Sequence, residues 1–277
     1  MERIAIYWKW WIWKSTMSCN ISAQFSKLWK KVLQIWCDPK ADSTKKITWW
    51  KRITTIMEML SKQDDYASIN ELTVKWYNWI DCIEAWWPIP WTWCAWRWIS
   101  KMFEIFDDVD LLKENYDLIL FDVLWDVVCG WFATPLRIGY WEKIFIVISE
   151  EIMSMYACNN ICKAVNQYSK NWIYVWWIIV NARSNTLNKE IITKFVEKIW
   201  LDIITFIPRS DMIACAEYKA MTLSEYNPNA EVIKVFDTLV QNIINIKKED
   251  KKDPVPMSQE EFDDFFKSFE IEPSSWI

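Results

Sequence analysis

The sequence predicts an α/β fold, a mainly parallel sheet flanked by helices in a single domain, and three observations carry that reading. Short apolar runs of strand length alternate with segments of helical period along the chain, the pattern of a sheet built from crossover connections. The first run, Ile4-Ala5-Ile6-Tyr7, leads through a short loop into a helix that opens at Lys14-Ser15-Thr16. A later run, Asp117 to Phe121, is closed by the acidic residue Asp122. Strand, loop, Lys-Ser helix start and strand-end aspartate together specify the P-loop NTPase fold.

Taken in order, Ser15 to Lys30 places Ile21, Phe25 and Leu28 at i, i+4 and i+7, an amphipathic helix facing the sheet. Val32 to Ile35 is the second strand, followed by the polar stretch Trp36 to Thr44, at the strand end where doubly wound folds place ligand loops. Thr54 to Ser61 is helical, and residues 62–75 form a short helix with loops. Ile80 to Ala85 is a strand leading into an irregular loop that presents Cys94 at the start of a helix running to about Phe106. Strands follow at Asp117 to Phe121, Ile144 to Ile148, Tyr174 to Val180 and Ile203 to Ile207. Helices run from Glu150 to Tyr168, from Lys189 to Ile199 and over residues 229–246. The charge run Lys247 to Asp253 then begins a linker and a short amphipathic tail, so residues 1–246 form the domain and 247–277 the appendage.

With 277 residues, 52% hydrophobic and 25% charged, the chain has the composition of a globular protein. Its net charge of −5 argues against a nucleic-acid partner. No apolar run reaches the length of a membrane span and the first strand follows the N-terminus at once, so a cytoplasmic protein without a membrane partner is expected. The 8 cysteines are scattered and contain no C-x-x-C pair, which points away from disulfides and zinc ribbons. Histidine is absent, which removes His-based triads and His metal ligands.

Glycine and tryptophan are anomalous: there are 2 Gly and 24 Trp, where glycine alone normally makes up roughly 7% of a chain. Trp pairs or near-pairs stand at Trp10-Trp11, Trp49-Trp50, Trp86-Trp87, Trp91/Trp93 and Trp96/Trp98. Several lie beside prolines or between a strand and a helix, where a turn calls for positive φ and no side chain. A bulky indole is the least suitable residue there. The expectation is that nearly every Trp marks a glycine position, through a gene whose UGA codons mean glycine or through replacement. The competing reading is a tryptophan-rich, aromatic-binding protein.

The loop between the first strand and its helix has the spacing G-x-x-x-x-G-K-[ST], with Trp8 and Trp13 at the glycine positions. Such a loop needs glycine because backbone N–H groups must close around phosphate oxygens at a helix N-terminus. Lys14 would neutralise β and γ oxygens, Ser15 would hold Mg²⁺, and Asp122 would hold the same ion through water. Lys9 adds a second lysine, giving K-x-x-x-x-K-S. In P-loop proteins with this signature lysine it reaches the nucleotide of the partner subunit, which implies a homodimer. Cys94 and Cys129 lie in the irregular loops; two thiolates per chain complete a four-thiolate cluster only across a two-fold axis. Otherwise they are buried hydrophobic residues.

These motifs carry a resemblance. From Ile4 to about residue 245 the chain resembles the nitrogenase iron-protein family, through Lys9 to Thr16, Cys37 to Thr44, Pro88 to Arg97 and Asp122 to Ala133. At every family glycine in these stretches except Gly130 this sequence has Trp. The resemblance implies a [4Fe–4S] cluster held by Cys94 and Cys129. It implies ATP phosphates on Trp8, Lys9, Trp10, Trp11, Ile12, Trp13, Lys14, Ser15 and Thr16, and adenine contacts from Asn181, Pro208 and Arg209. Asp38 falls in switch I and Asp122 in switch II, both near Mg²⁺, and Asp126 orients or activates the attacking water. Arg97 matches a surface arginine that some members modify by ADP-ribosylation. Cys37, Cys82, Cys158, Cys162 and Cys215 have no assigned role and are expected in the core.

The implied activity is nucleotide-gated electron transfer, from a donor such as ferredoxin or flavodoxin through the cluster to a partner metalloprotein for dinitrogen reduction. A related reductase of tetrapyrrole biosynthesis shares both cysteines and Asp122 to Cys129. A cluster-free partitioning-type ATPase shares Lys9 and Lys14. All three readings stand on the sequence.

Overall fold

The run Ile4-Ala5-Ile6-Tyr7 is wholly buried, as a strand must be when it has neighbours on both sides and helices over both faces. In the computed structural model of the chain it forms β1 (Glu2–Trp8). The structure describes residues 2–8, 14–37, 48–49, 51, 53–61, 69–85, 96–124, 140–141, 143–167, 174–184 and 189–269. After β1 come α1 (Lys14–Lys27), β2 (Val32–Trp36), α2 (Ile56–Ser61), α3 (Ile69–Leu72), β3 (Val74–Lys75) and β4 (Asp81–Glu84). Then follow α4 (Trp96–Asp108), β5 (Leu118–Leu124), β6 (Lys143–Ile148), α5 (Ile152–Gln167), β7 (Tyr174–Asn181) and α6 (Lys189–Lys198). The chain continues with β8 (Ile203–Ile207), α7 (Asp211–Tyr218), α8 (Leu223–Tyr226), α9 (Glu231–Asn245) and α10 (Gln259–Lys267).

Among the described residues the strands form one 8-stranded sheet in the order β3-β4-β2-β5-β1-β6-β7-β8. The β3–β4 pair is antiparallel, and the other described pairings are parallel. Because side chains alternate across a strand, β1 feeds two cores. Ala5 and Tyr7 join one with Leu33, Ile119, Phe121 and Ile146, under α4, α5 and α6. Ile4 and Ile6 join the other with Val32, Leu120 and Phe145, against α1 and α9.

The strands fall where the apolar runs put them, with Ile203–Ile207 matching to the residue. Three differences have physical reasons. Strand β5 runs past Asp122 to Leu124, because β1 pairs with it as far as Trp8↔Leu124. Helix α1 ends at Lys27 rather than Lys30, which leaves Leu28 partly exposed in the turn. Nor is α1 amphipathic: every residue from Thr16 to Ser26 is buried, polar ones included. In the tail, the Asn159 side chain exchanges two hydrogen bonds with the Met257 backbone, both 2.8 Å. Phe262 of α10 is buried against Phe195 and Tyr156.

The ends of α1 and α6 show what the backbone asks of their residues. Past α6, Trp200 N–H donates to Glu197 carbonyl and Leu201 N–H to Val196 carbonyl, each at 3.0 Å. That pair of bonds is a Schellman closure, whose C′ residue must be left-handed and is usually glycine. Trp200 takes it with φ 61°. Trp29 does the same past α1 with φ 59°, its N–H donating to Ser26 carbonyl at 3.1 Å. Trp49 and Trp79 are also left-handed, alongside Asn78, Asp110 and Ala220. Asparagine and aspartate tolerate that region and tryptophan does not. Packing offers nothing in return at the two helix ends, since Trp29 is 94% and Trp200 68% exposed. Conversely, the indole N–H groups of Trp36, Trp76 and Trp177 are buried without a hydrogen-bond partner, although a buried Trp usually finds one.

Trp200→Gly should therefore raise stability by about 1 kcal/mol, from relief of left-handed strain. Urea unfolding checks this: the midpoint should rise at unchanged slope, and a lower midpoint would contradict the strain.

Candidate functional site

The C-terminal ends of the parallel strands gather at one edge of the sheet, the edge where open α/β folds bind ligands. At its centre β1 ends at Trp8 and α1 begins at Lys14, so a five-residue connection, residues 9–13, sits at a helix N-terminus and its partial positive charge. Lys9, Trp10, Trp11, Ile12 and Trp13 lie outside the described residues, as do Asp38, Cys94, Asp126 and Cys129. For Trp8, Lys14, Ser15 and Arg97 the backbone alone is described, in β1, at the first turn of α1 and at the start of α4.

Asp122 lies in β5, level with Ile6 of β1 and Trp36 of β2, and its side chain is wholly buried. Its carbonyl accepts the Cys37 N–H at 3.0 Å. That bond ties the last described residue before Asp38 to the strand that continues towards Asp126. A carboxylate in this place, one strand from the start of the phosphate-type loop, suits a cation bound at the strand ends.

Helix α1 is held from its outer side by a polar stripe. Thr16 hydroxyl donates to the Glu217 carboxylate of α7. Asn20 donates to Thr16 carbonyl and accepts the Leu223 N–H, both at 2.8 Å. Gln24 donates to Ser224 hydroxyl at 2.9 Å. Positions 16, 20 and 24 share one helical face, so α7 and α8 fix both the rotation of α1 and the direction in which its first turn points. The sequence reading missed this stripe because Thr, Asn and Gln at that spacing look like a solvated face.

Three candidate residues meet at the other end of the edge. Asn181 ends β7, and Pro208 and Arg209 follow β8. With Ala182, Arg183, Ser210 and Ile213 they line a cavity of about 160 Å³, room enough for a heterocyclic base. Adjacent strands lie roughly 4.8 Å apart, so β7 and β8 end roughly 10–15 Å from β1, a distance a nucleoside triphosphate can bridge. Arg209 donates to Arg183 carbonyl across the cavity at 2.8 Å. The Arg183 guanidinium pairs with Glu151 at 2.6 Å.

Of the cysteines without an assigned role, Cys37, Cys82, Cys158 and Cys162 are buried and Cys215 is half-buried. Burial pushes the Cys82 and Cys158 thiols well above their usual range, as expected of buried structural cysteines. The same cause raises the Tyr7 hydroxyl, beside Cys37 and Trp141. Among the described residues no group of His, Cys, Asp and Glu could hold a metal ion by itself, and no helix is long and apolar enough to cross a membrane.

Comparison with known proteins agrees with this geometry. The family described as 4Fe-4S iron sulfur cluster binding proteins, NifH/frxC family, matches residues 2–272. Nitrogenase iron protein 2 of Methanobacterium ivanovii is 37% identical over 269 residues, 97% of this chain and 99% of that protein. The nitrogenase iron protein of Methanospirillum hungatei is 34% identical over 273 residues, 97% and 96% of the two chains. Among solved structures, the MinD cell division protein of Aquifex aeolicus superposes with a TM-score of 0.68 at 18% identity, covering 89% of this chain and 98% of that one. A ParA family ATPase from Chlorobium tepidum gives 0.66 at 15%, covering 87% and 98%. The fold is that of the P-loop ATPases.

The polar stripe yields a prediction. Asn20→Ala leaves the Leu223 N–H buried and unpaired, which should cost about 1–3 kcal/mol. Urea unfolding should show the lower midpoint; an unchanged midpoint would mean that the stripe does not hold α1.

Proposed function

Because the chain belongs to the NifH/frxC family of 4Fe-4S iron–sulfur cluster binding proteins, we propose that it is an ATP-dependent electron-transfer protein of dinitrogen reduction. In this reading it is a homodimer that passes electrons from a subunit-bridging [4Fe–4S] cluster to a partner metalloprotein, drawing them from a donor such as ferredoxin or flavodoxin. The observation that carries the reading is the placement of Asp122. It lies buried one strand from the end of β1, on the strand that leads directly into Asp126 and Cys129.

Cys94 and Cys129 of each subunit would hold the cluster, whose chemistry is to take up and release one electron at a time. Asn181, Pro208 and Arg209 would receive the base of ATP, and the strand-end loop with Lys14 its phosphates. Lys9 would reach the nucleotide of the partner subunit. Ser15, Asp38 and Asp122 would hold Mg²⁺, and Asp126 would orient the attacking water. The segment from Asp122 to Cys129 would join the Mg²⁺ residues to a cluster ligand, so that a shift at Asp122 would be passed along the chain to Cys129. Arg97 lies at the start of α4, on the partner-docking side in this reading, where ADP-ribosylation would block docking.

The phosphate role has a requirement. Backbone N–H groups close around phosphate oxygens only if no side chain fills the cradle, so the working loop carries glycine at Trp8, Trp10, Trp11 and Trp13. The left-handed Trp29 and Trp200 support the same reading elsewhere in the chain. The relatives named nitrogenase iron protein favour dinitrogen reduction over tetrapyrrole reduction, and an assay of electron delivery to each class of partner separates the two.

Anaerobic purification tests the cluster. The protein should be a brown dimer with broad visible absorbance, lost in Cys94→Ala and in Cys129→Ala while the fold persists. A colourless dimer that still hydrolyses ATP would leave the cluster-free ATPase reading in its place.

A further inference from the structure

We infer that Glu150 is a positioning residue of the base cavity, a role no sequence motif assigns it; the inference rests on the base-binding part of the reading above. Glu150 lies two residues past the end of β6, and its carboxylate accepts backbone N–H groups from the next strand's exit turn. Arg183 N–H lies at 3.1 Å and 3.2 Å from its two oxygens, and Ser184 N–H at 2.7 Å from one of them. Two successive N–H groups converging on one carboxylate form a nest, the arrangement by which turns hold anions. Charge-assisted bonds of this kind are roughly twice as strong as neutral ones.

The turn it holds is a wall of the cavity. Asn181, Ala182 and Arg183 line one side and Pro208, Arg209 and Ser210 the other. The Arg209 guanidinium is placed by Arg183 carbonyl, and the Arg183 side chain is drawn to Glu151 at 2.6 Å. Three bonds therefore meet on one residue: Glu150 holds the Arg183 N–H, Glu151 its guanidinium and Arg209 its carbonyl. Of these, the Glu150 bonds set the peptide plane from which the other geometry follows. Without them the Arg183–Ser184 turn loses its anchor to β6, Arg183 carbonyl shifts, and Arg209 moves with it.

Adenosine is the probe, since it reports on the base cavity alone and not on the phosphate loop or the cluster. In full-length protein, Glu150→Ala should weaken adenosine binding by about tenfold, the scale of losing one or two charge-assisted bonds. Hydrogen exchange at the Arg183 and Ser184 amides should accelerate while that of β1 and β5 stays unchanged. Glu150→Gln keeps one acceptor oxygen and should recover part of the affinity. Unchanged adenosine affinity in Glu150→Ala, or no adenosine binding by the unaltered chain, would overturn the inference. So would exchange that accelerates across the whole sheet, because the residue would then be serving general stability. Adenosine binding that depends on Glu150 in a colourless protein would retain this inference and remove the electron-transfer reading.

Discussion

The fold of this molecule depends on places where the chain must turn with no side chain in the way. A parallel sheet returns every strand through a crossover, and each crossover helix must end before the next strand can begin. In α1 and α6 that end is a left-handed residue, Trp29 and Trp200. In the proposed function the connection from β1 to α1 would face a related demand, because phosphate oxygens are reached only by bare backbone. Glycine meets both demands at no steric cost. Tryptophan does not meet the first: it is strained where it is exposed, and at Trp36, Trp76 and Trp177 it buries an indole N–H with no partner. Strain at exposed sites and orphaned donors at buried ones are opposite faults, and substitution of glycine by tryptophan accounts for both.

Around that constraint the sheet divides the work. Strand β1 sits between β5 and β6. On the β5 side it faces Asp122, in the strand that leads on to Asp126 and Cys129. On the β6 side lie Glu150 and, beyond it, the cavity at the ends of β7 and β8. In the proposed function, base recognition and the switch would therefore lie on opposite sides of β1. Helix α1 leaves the loop between them, and its buried Thr16, Asn20 and Gln24 fix it to α7 and α8. Placing polar groups inside a core is costly unless each is paired. Here the paired bonds set the helix rotation, which apolar packing alone would specify less sharply.

The strands were legible because burial on both faces leaves unbroken apolar runs, as in Lys143–Ile148 and Ile203–Ile207. The helix ends were less so, and α1 shows why. Its stop signal is a left-handed C′ residue, and with Trp29 in that place the helix reads on to Lys30. The two-residue edge strand Val74–Lys75 is exposed and carries no alternation to detect. Asn181, Pro208 and Arg209 were named from family resemblance, whereas Arg183 was not named and Glu150 only as a helix start. Their roles run through backbone groups, and a sequence does not show which carboxylate a turn's N–H groups will meet. The buried face of α1 was misjudged for a similar reason, since hydrogen bonding rather than hydropathy fills it.

The central claim is that tryptophan stands where this fold requires glycine, and the protein made by its own source cells decides it. Peptide mass spectrometry across residues 29, 49, 79 and 200, and across the loop from Trp8 to Trp13, should find glycine at the tryptophan positions. Intact tryptophan in those peptides, from a protein that binds ATP, would contradict the account.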